Sequence, residues 1–93
     1  MEGVAAEKIP GGKLVRVKVT YDDVINDIKI TGDFFLHPED AIDDIEKSLF
    51  GIKASSDESV ISKIISEVVN SGNVELVGIT PESLAKVIRS AIK

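Results

Sequence analysis

The sequence predicts an α+β domain in which a small antiparallel sheet, built on one β-hairpin, is covered on one face by three helices. Three observations carry this reading. Lys13 to Thr20 alternates apolar and polar residues, the period of a strand with one buried face. Ile28-Lys29-Ile30-Thr31 repeats that period before Gly32. From Pro38 onward the apolar residues recur at helical spacing in three separate runs, and strands followed by helices are the pattern of an α+β layer.

Residues 1–12, ending Ile9-Pro10-Gly11-Gly12, lack periodicity and finish in strong turn formers, so they read as a flexible lead-in to a domain spanning 13–93. In the first strand Val15, Val17 and Val19 share one face, with Arg16, Lys18 and Thr20 on the other. Tyr21-Asp22-Asp23-Val24 supplies a two-residue turn centred on the aspartates, and the chain returns as a second strand. Ile25 has the opposite parity to Ile28 and Ile30, which favours a bulge near Asn26-Asp27 over an outward-facing Ile25. Gly32 breaks the alternation and marks a bulge, a bend or a close backbone approach. Asp33 follows, then Phe34 and Phe35. Consecutive rings in a strand point to opposite faces, so a core beneath one sheet face takes one of them. The other packs under a helix of the same chain or against a partner.

His37-Pro38-Glu39-Asp40 reads as the start of the first helix, with proline preorganised for its first turn and acids at the positive end of its dipole. Ala41, Ile42, Ile45 and Leu49 form its apolar stripe, Asp43, Asp44, Glu46 and Lys47 its polar side, and Gly51 its stop. A second helix begins after Ser55 or Ser56, where Ser55 and Glu58 have capping-box spacing. Val60, Ile61, Ile64, Ile65, Val68 and Val69 give it a broad β-branched stripe that depends on tertiary packing. Val74 to Gly78 fits either a short third strand or an ordered connection. Thr80-Pro81-Glu82 then opens a third helix carrying Leu84, Val87, Ile88 and Ala91. Lys86, Arg89 and Lys93 complement the negative end of that helix.

Composition narrows function. The 93 residues make one domain with a modest core. A net charge of −5 and a pI of about 4.7 repel a phosphate backbone, so nucleic acid is not an expected ligand. Cysteine is absent, which excludes disulfides, thiolate metal sites and cysteine nucleophiles. No apolar run has membrane-spanning length and the first residues are unlike a signal peptide, so the cytoplasm is the expected location. His37 is the sole histidine and its place before proline reads as structural, so no metal site is expected. Glu39, Asp40, Asp43, Asp44 and Glu46 lack calcium-loop spacing and read as a solvated helix face. Ser55, Ser56 and Ser59 have no base in pattern and read as caps. Gly11-Gly12-Lys13 is an incomplete phosphate-loop ending whose lysine opens a strand rather than a helix. By residue chemistry the chain has no active site of its own, and function falls to binding.

Several runs resemble a known family. Ile9-Pro10-Gly11-Gly12-Lys13-Leu14-Val15-Arg16-Val17, Ile28 to Phe35 with its Gly32-Asp33-Phe34-Phe35 element, His37-Pro38-Glu39-Asp40 and Ile45-Glu46-Lys47-Ser48-Leu49-Phe50-Gly51 are similar to the C-terminal accessory domain of lipoate-protein ligase. The likeness is strongest from Ile9 to Gly51, and beyond that only the layout is similar. The resemblance implies a fold akin to iron-sulfur scaffold proteins and a separately encoded accessory subunit, as in two-piece archaeal ligases. Its partner would be a catalytic subunit that uses ATP, magnesium and lipoate to form lipoyl-AMP and modify lysines on acceptor domains, with no cofactor bound by this chain alone. Gly11, Gly12 and Lys13 become candidates for the neighbourhood of the nucleotide, and Gly32, Asp33, Phe34 and Phe35 for a docking patch. A stand-alone small-molecule or protein-binding module, or an accessory protein of iron-sulfur or sulfur transfer, are the alternatives.

Overall fold

A computed structural model describes residues 1–9 and 13–92. Its elements run β1 (Glu2–Lys8), β2 (Leu14–Tyr21), β3 (Ile25–Gly32), β4 (Phe35–His37), α1 (Ala41–Ser48), α2 (Glu58–Ser71), β5 (Glu75–Val77) and α3 (Pro81–Ala91). The expected hairpin is present and antiparallel, with Val17 opposite Ile30 and Val19 opposite Ile28. The expected α+β layering is also present, with the helices on one side of the sheet.

The first departure is at the amino terminus. Residues 2–8, expected within a flexible lead-in, form an edge strand paired antiparallel with β2 from Glu2↔Thr20 to Lys8↔Leu14. Ala5 and Ala6 have weak strand preference, so this strand is stabilised by the partner edge of β2 and by α3, which packs across β1 and β2. The third strand of the main sheet is therefore β1. The Val74–Gly78 segment does contain a strand, β5, but it pairs with β4 in a separate two-stranded sheet.

The bulge lies where parity required it. Tyr21 pairs with Ile25 and Thr20 with Asp27, leaving Asn26 as the extra residue. Ile25, Ile28 and Ile30 all turn inward, none more than 4% exposed. They meet Val15, Val17 and Val19, which are fully buried, and burial of each such side chain contributes roughly 1.5–3 kcal/mol. The connecting loop has three residues rather than two, because Val24 leaves the hairpin to bridge Lys53. Within it Val24 N–H donates to the Asp22 carboxylate, and that bond lowers the Asp22 pKa.

Helix starts differ from expectation in two of three cases. Pro38 follows a cis peptide bond and lies in a turn whose carbonyl accepts from Ala41 N–H at 3.1 Å, so α1 begins at Ala41 with Asp40 as its N-cap. For α2 the cap is Asp57, not Ser55 or Ser56. The Asp57 carboxylate accepts from Val60 N–H at 3.1 Å and from Ser59 Oγ at 2.7 Å, and these bonds, the Ser59 one foremost, hold its pKa below the ordinary value. Ile61 and Ile65 of α2 are fully buried between the neighbouring helices, whereas Val60 turns outward. The third start is as expected: Thr80 caps α3 in a reciprocal box with Ser83, and Pro81 occupies the first turn. Leu84, Val87, Ile88 and Ala91 are all fully buried. Arg89 does more than complement the helix end, because its Nη1 donates to the carbonyls of Ala54 (2.6 Å) and Ser56 (3.2 Å), fastening α3 to the segment before α2.

Glu46 is the main correction on α1. Its place on the polar side predicts solvation, yet it is buried and its Oε2 accepts from Ile30 N–H at 2.8 Å. Ile30 points this N–H away from β2, so the carboxylate satisfies a backbone donor on the outer edge of β3 that would otherwise be orphaned. Replacing Glu46 with Gln keeps an acceptor oxygen, whereas Leu leaves the donor buried and unpaired at a cost of roughly 1–3 kcal/mol. Urea denaturation is expected to rank wild type and Glu46→Gln close together and Glu46→Leu well below both. Equal stability of the two variants would show that the bond contributes nothing.

Candidate functional site

The residues singled out by motif converge on one end of the molecule. β2 begins there and β3 finishes there, and Asp33 N–H donates to Leu14 C=O at 2.9 Å across their junction. Gly32 has φ +155°, and a Cβ at this position would overlap the Leu14 carbonyl and touch the Phe34 ring at 3.0 Å. The close approach, rather than a turn, is what requires glycine. It lets the Phe34 ring fold back over the strand end, where Phe34 is half-buried against the core.

Phe35 goes the other way. In β4 it stands directly opposite Val77 of β5, while Leu36 and Leu76 turn inward between them and the core. Phe35 is 70% exposed and Val77 is 49% exposed. The pair therefore presents adjacent apolar side chains to solvent, and this answers which of the two rings lacks a place in the core. A groove of about 310 Å³ runs beside them, lined by Gly32, Phe34, Phe35, Leu36, Glu39 and Ile42 among others.

Lys13 reaches the same end from the other flank. A Cβ placed on Gly78 would lie 3.4 Å from Lys13 Cγ and 3.7 Å from Phe34 Cα, so the lysine stem runs beside the turn that follows β5. Lys13, Gly32, Asp33, Phe34 and Phe35 are thus brought together, whereas Gly11 and Gly12 lie outside the described residues. Val77 and Gly78 belong to the same surface and had no functional signal in the sequence, since a three-residue strand is too short to show its period.

Lys13 and Asp33 are exposed charges at the rim of an apolar surface, the layout of a protein interface with a polar margin. Among the described residues there is no group of three or more His, Cys, Asp or Glu side chains placed to hold a metal ion. His37 pairs in register with Glu75 on the exposed side of the small sheet. No helix among the described residues is long and apolar enough to cross a membrane.

Known proteins share this architecture. Residues 4–88 match a family model described as the bacterial lipoate protein ligase C-terminus. A protein named lipoate-protein ligase A subunit 2, from Thermoplasma acidophilum, is 42% identical over 77 residues, covering 82% of this chain and 77% of that one. A chain in a solved structure of an archaeal lipoylation system superposes with a TM-score of 0.79 at 33% identity, over 96% of each chain. That system is described as a bi-partite lipoate protein ligase and its E2 lipoyl domain, also from Thermoplasma acidophilum.

Proposed function

Because this chain belongs to the lipoate-protein ligase C-terminal family, we propose that it is the accessory subunit of a two-part ligase and docks on a separate catalytic subunit. The observation that carries the docking is that Phe35 and Val77 are exposed side by side on the small sheet, next to a groove lined by Phe34, Leu36 and Ile42. Adjacent exposed apolar side chains beside a groove, unlike a single exposed ring, favour a place that another protein covers. The catalytic subunit supplies the chemistry: with ATP, magnesium and lipoate it forms lipoyl-AMP and passes the lipoyl group to an acceptor lysine. The accessory chain contributes by docking beside that site and ordering it for adenylation, which keeps water from a reactive acyl-adenylate. Lys13, at the rim of the docking surface, is the cation available to face the nucleotide, and Gly32 and Asp33 shape the contact. The complex works in the cytoplasm.

Reconstitution tests this directly. The catalytic subunit is assayed for lipoyl-AMP formation and acceptor lipoylation with and without this chain. Both activities are expected to rise strongly on its addition. Single-turnover transfer from preformed lipoyl-AMP, at saturating acceptor, is expected to depend on it less. A catalytic subunit equally active alone would refute the accessory role.

A further inference from the structure

We propose that the open face of the three-stranded sheet captures the protein bearing the acceptor lysine, through an acidic surface on that protein. The inference rests on the accessory-subunit reading and extends it to a second face of the chain. The helices cover one side of the sheet and leave the other to solvent, where Lys8, Arg16, Lys18 and Lys29 are all exposed. Register places Lys18 directly opposite Lys29 and the exposed Val4, and Arg16 directly opposite Thr31 and Ala6. Two acids share the face, Glu2 and Asp27, and both stand in the row of Thr20 at one end. In a chain with 16 Asp and Glu against 11 Lys and Arg, this is a local reversal of sign.

The arrangement opposes stability. Like charges directly opposite each other on a sheet destabilise it, and the one ion pair on the face among the described residues, Lys18 to Glu2 at 3.8 Å, joins side chains about 60% exposed. Such surface pairs contribute little. Nothing within the fold gains from the Lys18–Lys29 juxtaposition, so a partner's charge is the natural complement.

Two arguments choose the partner. A nucleic acid would meet the repulsion of the whole −5 chain along its length, whereas a folded acidic domain meets only the face it touches. Flat, hydrated, charged contacts mainly speed encounter, which suits a substrate protein that must leave after each modification. The apolar Phe35 end suits a lasting partner.

Lys29→Glu and the double variant Lys18→Glu, Lys29→Glu test the assignment in the reconstituted ligase. The single substitution turns a like-charge pair into an opposite pair, so the melting temperature is expected to stay level or rise. At the same time kcat/KM for the acceptor is expected to fall about fivefold, and by roughly tenfold or more in the double variant. The loss should lie in KM, the gap between wild type and variant should close as salt is raised, and lipoyl-AMP formation without acceptor should stay at the wild-type rate. Titration of the isotope-labelled full chain with acceptor should shift the amides of Arg16, Lys18, Lys29 and Thr31. Acceptor kcat/KM within about twofold of wild type, with the complex assembled, would overturn the proposal, as would amide shifts confined to other faces. Failure of the wild-type chain to support adenylation would instead strike the accessory reading, and the titration separates the two results.

Discussion

Phe35→Asp is expected to abolish assembly with the catalytic subunit while the isolated chain melts within about 4 °C of wild type. The two halves of this expectation have separate causes. Phe35 is 70% exposed, so its ring contributes little to the core beneath Leu36 and Leu76. A charge in its place costs the free chain almost nothing. In the complex the same position would be an aromatic anchor, and truncating such an anchor typically costs about 2–4 kcal/mol. That corresponds to a dissociation constant raised roughly 30- to 1000-fold, and an added carboxylate inside an apolar contact deepens the loss. Phe50→Asp is the control, because Phe50 is also exposed, at 44%, but lies beyond the end of α1 instead of on the small sheet. Calorimetric titration of the two subunits reads both. Equal weakening by both variants, or by neither, would remove Phe35 from the docking surface.

Gly3→Ala is expected to lower the stability of the fold sharply. A Cβ on Gly3 would overlap the Ala91 carbonyl and come within 2.9 Å of its carbon. These are backbone atoms at the end of α3, so no side chain can rotate away. Either β1 lifts from the helix or the last turn of α3 moves, and Ala91 and Ile92 lose their packing. Overpacking of this kind costs about 1–3 kcal/mol, which lowers the melting temperature by about 10 °C in a domain of this size. Ala6→Ser changes the same strand on its solvent face and should leave the melting temperature nearly unchanged. If Gly3→Ala melts with wild type, β1 is not held against α3 in the way described.

Legibility in the sequence followed the source of each element's stability. The hairpin and the stripes of α1 and α3 were readable because their inward residues recur at the period of the element itself. Even the bulge was readable, since Ile25 could join Ile28 and Ile30 only through an extra residue. At the functional end, the Gly32-Asp33-Phe34-Phe35 run pointed to the right place because a broken strand period followed by two rings needs an explanation. Val77, which completes the apolar pair, carried no comparable signal.

The family resemblance, the hairpin with its inward valines and the Thr80-Pro81 start of α3 were determined by the sequence alone, because each depends on neighbours in the chain or on a short period. Tertiary structure decided the rest. Residues 2–8 became a strand because β2 offers an edge and Gly3 admits α3, neither of which is visible in a segment without periodicity. Glu46 left the solvated face because Ile30, sixteen residues away, presents a backbone donor that has to be paired. Lys18 and Lys29 became a charged pair only when strand register set them side by side. In each case the deciding partner is distant along the chain, and local pattern carries no information about it.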